Sequence, residues 1–268
     1  MIPTWLLPAD LRDRMREIRT AQWEDALKTP LPWDDAIKWQ RVLPVQAASF
    51  QARIGAHRLF DVVPILDLDP ILRAAPDPRV VESPDHRWRY CERVAPRAAG
   101  LSLDVGRDRG TVVMDGPITF PQLWTKNSLG MWGGFDRVPL MSLTPQELMT
   151  LRRGTRLAKG HVVIGGLGLG WQLARVCERK QVKRVTVVEI DRGLVDWLWP
   201  RIEPFCSGRP VDFVIDDIKN AGKTLTADVA LVDTFDDLGD RSYERTVFEH
   251  LWPNIQKVWC WGVQDREK

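Results

Sequence analysis

The stretch His161–Val176, HVVIGGLGLGWQLARV, decides how the rest of this chain is read. An apolar run, His161 to Gly165, enters a turn with glycines at 165, 166, 168 and 170, and a helical pattern follows from Trp171. Strand, bare turn and helix in that order form the first unit of an open α/β sheet. Such sheets bind ligands at the carboxyl ends of their strands. The turn lacks the last glycine of the dinucleotide fingerprint, since the sixth position is Trp171 counted from Gly166 and Leu173 counted from Gly168. It also lacks the lysine of a P-loop. Alternate glycines at 166, 168 and 170 still allow a sharp turn and close approach of backbone to a ligand. A tight strand–helix connection with no ligand explains the same residues.

Downstream the pattern alternates. RVTVVEI, VDFVI, ADVALVD and KVWCWGV read as strands, and RGLVDWLWPRI, IKNAGKTL and RSYERTVFEHLWPNI read as helices between them. Strands without polar alternation, separated by helices, predict a parallel sheet covered on both faces. Right-handed crossovers make it a Rossmann-like, doubly wound α/β fold of about five strands. Two strand ends carry acids. Glu189 closes the second, where a carboxylate can accept both hydroxyls of a ribose. Asp216 or Asp217 closes the third, placed to accept from an adenine amino group. Each is also a plausible helix cap.

Upstream the organisation changes twice. Residues 1–75 read as helical, with helices expected over 10–28 and 32–43. Residues 76–125 read as a small antiparallel β domain. Residues 126–156 read as a connector or lid followed by a helix capped by Thr144, with Pro145 first and Glu147 third, a capping-box pattern. The nucleotide-type domain runs over 157–268.

Composition limits the function classes. A net charge of +2 from 38 basic and 36 acidic residues gives no marked pull toward nucleic acid or membrane surfaces. No apolar run reaches membrane-spanning length, and no signal peptide is read at the start, so a cytoplasmic protein is expected. Four scattered cysteines predict free thiols, and four histidines show no metal-ligand spacing. Thirteen tryptophans against two tyrosines predict heavy aromatic packing, or else a stacking surface for a flat substrate.

The stretches HVVIGGLGLG, VTVVEID, VIDDI and ADVALVDTFDD together resemble the class I S-adenosylmethionine-dependent methyltransferase superfamily. Within it they are most similar to the spermidine synthase-like group, whose small β domain often ends in a turn like VVMDG, Val112–Gly116. The resemblance covers about residues 108–260. It implies S-adenosylmethionine, or its decarboxylated form, as cofactor. It places Gly165, Gly166, Gly168 and Gly170 along the methionine part and Glu189 on the ribose. It places Asp216 and Asp217 at the adenine edge, with Ile190 and Ile218 on the two adenine faces. It makes Asp233 the acid that takes a proton from an attacking amine, with Asp236 beside it. Holding loop amides is the other role open to Asp233.

The terminal strand pair of these families is not read here. The edge it would cover is expected to be shielded by the N-terminal helices or by a second copy in a homo-oligomer. Three functions follow as expectations: methyl transfer to an acceptor, chiefly a small molecule; aminopropyl transfer; or a non-catalytic nucleoside-binding scaffold.

Overall fold

The computed structural model describes residues 41–55, 57–64, 79–95, 100–105, 108–114, 116–126, 132, 139–234 and 242–262. The helix expected over 10–28, most of that expected over 32–43, and Asp236 lie outside them.

The carboxyl-terminal half forms a five-stranded sheet: β8 (Gly160–Gly165), β9 (Val182–Glu189), β10 (Val211–Ile215), β11 (Val229–Val232) and β12 (Val258–Cys260). Their order is β10-β9-β8-β11-β12, and every pairing is parallel. Between them run α3 (Trp171–Cys177), α4 (Arg192–Ile202), the short α5 (Ile218–Ala221) and α6 (Ser242–Leu251). The order reverses at β8, which puts the switch point beside the glycine turn. The apolar runs explain this arrangement. Val162, Ile164, Val185, Val187, Val229 and Leu231 pack on one face of the sheet. Val163, Val188, Ala230 and Val232 pack on the other. β8, β9, β11 and β12 bury residues of both alternating faces, as a sheet covered on two sides allows, while the edge strand β10 is only partly buried.

The amino-terminal half carries two smaller sheets. One has the order β2-β3-β6-β7, all antiparallel, from β2 (Val80–Glu82), β3 (Trp88–Ala95), β6 (Ile118–Thr125) and β7 (Met141–Ser142). The other pairs β4 (Gly100–Val105) antiparallel with β5 (Asp108–Met114), and β5 parallel with β1 (Arg41–Val45). Residues 41–43, expected to end a helix, are therefore strand. Val42 and Val45 favour extended backbone, and Pro44 pushes the residue before it out of helical geometry. Helix α1 (Ala47–Gly55) packs on β6. Helix α2 (Pro145–Leu157) starts as read: the Thr144 side chain accepts the Glu147 amide, and Pro145 opens the first turn.

One continuous core joins the halves, with Tyr90, Met114 and Leu123 packed into the same cluster as Ile164, Leu173 and Leu198. Trp88, Trp171, Trp197 and Trp259 are buried in this core, and Trp124, Trp132 and Trp252 are buried in smaller clusters beside it. Trp252 stacks on Phe248 with ring centroids 4.3 Å apart and lies directly over Gly222. The four cysteines are free and buried. Among the described residues no helix is long and apolar enough to cross a membrane.

Candidate functional site

The glycine turn is built from backbone pairing on both flanks. Gly166 donates its amide to Val188 O at 2.8 Å, and Asp233 donates its amide to Gly165 O at 3.1 Å. Gly166 and Gly168 take φ of 89° and 51°, a region that L side chains rarely adopt. Their bareness is used within the protein. A Cβ on Gly166 would stand 2.8 Å from the Asp233 carbonyl oxygen, and one on Gly165 would stand 2.9 Å from Ile218 Cγ1. The Met141 thioether lies over Gly168, and Ile202 lies over Gly170. Met141 Sδ also accepts the Leu169 amide at 3.2 Å. The protein's own packing therefore accounts for each glycine of the turn, and the case for a ligand rests on the residues around it.

Glu189 ends β9 buried, at 7% exposure, with its carboxylate turned onto the glycine turn. Its Oε2 accepts the Leu167 amide at 2.8 Å and its Oε1 accepts the Asp191 amide at 3.0 Å. The next residue, Ile190, is 71% exposed at the strand end. Asp216, just past β10, is exposed and donates its amide to Glu189 O at 3.2 Å. The structure thus brings Gly166, Glu189, Ile190 and Asp216 to one sheet edge.

Two expected cofactor residues do other work. Asp217 caps α5, its Oδ1 accepting the Lys219 amide at 2.8 Å. Ile218, expected on an adenine face, is only 4% exposed and packs beneath Gly165. The four-residue helix α5 turns Ile218 into the core with Val163 and Val232, so of the two isoleucines Ile190 alone is left on the surface.

Asp233 follows β11 directly. Burial raises its carboxyl from the ordinary range to about 7. Glu147, in the first turn of α2, is also raised well above the usual carboxylate value, first by burial and then by the nearby Asp233 charge. Its Oε2 accepts the Ser142 amide at 3.4 Å, which works in the opposite direction. In the sequence Glu147 reads only as a capping-box residue. In the structure its carboxylate turns to β7 and toward Asp233, so two desolvated acids neighbour each other beside the turn. Nothing in the local sequence separates these two uses of one glutamate.

No protein family and no curated protein matches this sequence. Solved structures similar to it include S-adenosylmethionine-dependent methyltransferases and spermidine synthases. Spermidine synthase from Thermotoga maritima shares 14% identity over 65% of this chain and 60% of that one, with a TM-score of 0.33. The N-methyltransferase NodS from Bradyrhizobium japonicum WM9, in complex with S-adenosyl-L-homocysteine, shares 16% identity over 42% of this chain and 58% of that one, with a TM-score of 0.32. The 23S rRNA methyltransferase ErmE shares 17% identity over 40% of this chain and 42% of that one, with a TM-score of 0.30. This chain therefore spans less than two thirds of each of these three.

Proposed function

We propose that this chain binds S-adenosylmethionine at the carboxyl ends of β8, β9 and β10 and transfers its methyl group to an amine-bearing acceptor. The observation that carries the reading is the grouping of Glu189, Ile190 and Asp233 around one turn at the switch point of the sheet. The residues fit an adenosine. The Glu189 carboxylate retains acceptor capacity beyond its two amide bonds, Ile190 offers an apolar face, and Asp216 offers a carboxylate at the rim. When bound, S-adenosylmethionine supplies a methyl group activated by its sulfonium. The chain's own part is to hold acceptor and donor in line and to take the acceptor's proton. Asp233 suits the second task, because a carboxyl titrating near 7 is a stronger base than an ordinary aspartate and is still half ionised there. Glu147 lies beside it and, once ionised, favours a cationic acceptor.

The same pair of acids favours a second reading, aminopropyl transfer. A site with two desolvated carboxyls disfavours a ligand carboxylate, and decarboxylated S-adenosylmethionine has none. A third reading, a scaffold without catalysis, is favoured by Met141, Ile202 and Ile218 filling the space over the glycines. Isothermal titration with S-adenosylmethionine, its decarboxylated form and S-adenosylhomocysteine separates the three. Tightest binding of the carboxylate-bearing forms supports methyl transfer, and preference for the decarboxylated form supports aminopropyl transfer. Heat from none of them, with the fold intact, leaves the scaffold.

A further inference from the structure

The carboxylate assigned to the ribose is held from outside the parallel sheet. Trp88, the first residue of β3, donates its indole N–H to Asp191 Oδ2 at 2.9 Å. Arg87 Nη1 reaches the same oxygen at 3.1 Å. The other oxygen, Oδ1, accepts the Leu194 amide at 3.2 Å and caps α4. The Asp191 amide donates to Glu189 Oε1, and Glu189 Oε2 takes the Leu167 amide. A continuous hydrogen-bonded path therefore runs from the antiparallel sheet through Asp191 and Glu189 to the glycine turn. Trp88, Asp191 and Glu189 are all buried along it.

We infer that Trp88 and Asp191 are positioning residues that make the crevice selective for ribose over deoxyribose. The inference rests on the adenosine site proposed above. A carboxylate has about four lone-pair directions. Two at Glu189 are taken by backbone amides, and those bonds fix the plane of the group and the direction of the remaining two. The Leu167 amide belongs to the turn itself, but the Asp191 amide is placed by a side chain whose Oδ2 is held by the buried indole of Trp88, 103 residues away in sequence, and by the exposed Arg87. Capping α4 requires only Oδ1. The bond from Trp88 to Oδ2 is additional, and it ties the small β domain to the acid that reads the sugar. Without it Oδ2 keeps only the exposed Arg87, so the acid still sits at the strand end but its free lone pairs are less firmly aimed.

The test uses the full chain and two probes, S-adenosylhomocysteine and its 2′-deoxy analogue, titrated against wild type, Trp88→Phe and Asp191→Asn. Trp88→Phe removes the indole donor. Asp191→Asn keeps an oxygen for the helix cap and presents an amide to Trp88. In the wild type the ribose form binds about ten-fold or more tighter, the scale of a hydrogen bond to a charged group. In both variants that ratio falls to about threefold or less, while affinity for the deoxy form is unchanged. A wild-type ratio preserved in the variants overturns the inference and leaves the adenosine site standing. Equal weakening of both probes also overturns it, since a residue that merely supports the fold has no reason to sense one hydroxyl. If the wild type binds neither probe, the adenosine site itself fails and the inference with it. Should Trp88→Phe not fold, Asp191→Asn carries the same outcomes.

Discussion

Replacing Ile190 by alanine separates ligand recognition from stability more cleanly than any other change at the site. The side chain is 71% exposed, so its loss leaves the melting temperature within the small range typical of surface substitutions. Covered by an adenine, it contributes about 1–2 kcal/mol of apolar burial, so affinity for S-adenosylhomocysteine falls by roughly 5- to 30-fold. Unchanged titration isotherms would take Ile190 out of the site. Glu189→Ala behaves differently. It strips the acceptor from the Leu167 and Asp191 amides at once, and at about 1–3 kcal/mol for each buried donor left unpaired the fold loses about 2–6 kcal/mol. Chemical denaturation measures this, and a loss below 1 kcal/mol would mean that water or another group replaces the carboxylate. At Asp233 the raised carboxyl predicts turnover that climbs with pH through about 7, following ionisation of the base. Asp233→Asn abolishes that rise and most of kcat while ligand affinity persists. A pH–rate profile identical in wild type and Asp233→Asn would assign the proton transfer elsewhere.

At the scale of elements, two packing contacts give predictions that need no ligand. Gly222 closes α5 with the Trp252 ring against its α-carbon, and its backbone is helical, so any added side chain meets the indole. Gly222→Ala is expected to destabilise by about 3 kcal/mol, the upper part of the overpacking range, as read by thermal or denaturant unfolding. His57, which follows α1, is buried with its Nε2 2.8 Å from Leu169 O. Burial is the main cause that lowers its pKa from 6.5 to about 4. Between those values the unfolded chain binds more protons than the folded one, so stability rises with pH across this window. The contribution is complete above about 6.5 and fully lost below about 4, a swing of about 3 kcal/mol. Asp233 acts in the opposite sense, since its raised value favours the folded chain at low pH and that advantage disappears as pH rises through about 7. Denaturation of wild type and His57→Gln across pH 4–7 isolates the histidine: the variant lacks its share of the slope, and parallel curves would contradict the assignment.

For the whole molecule, one core spanning both halves predicts a single cooperative unfolding transition. Tryptophan fluorescence and far-ultraviolet dichroism should then report the same midpoint, and separate midpoints would show the β domain melting alone. The same architecture explains what the sequence could and could not reveal. β8, β9, β11 and β12 are legible because apolar residues lie on both of their faces. Glu189 and Asp233 stand out in the sequence as acids at strand ends, the place where such a sheet can bind a ligand. Ile218 was misplaced, because the rotation of a four-residue helix decides whether its side chain faces the rim or the core. Glu147 was hidden inside an ordinary capping pattern. The role proposed for Trp88 and Asp191 depends on a contact across 103 residues, which no local pattern encodes. The strand at Arg41–Val45 was missed because its partner, β5, lies far along the chain.

Predictions at all three scales meet at the proposed adenosine site, and a crystal soaked with S-adenosylhomocysteine tests it most directly. Density should show the ribose hydroxyls on the Glu189 carboxylate, the adenine against Ile190 and the homocysteine chain reaching past Gly166 toward Asp233. A crevice without nucleoside at saturating ligand, with Met141 still seated on Gly168, would contradict the account.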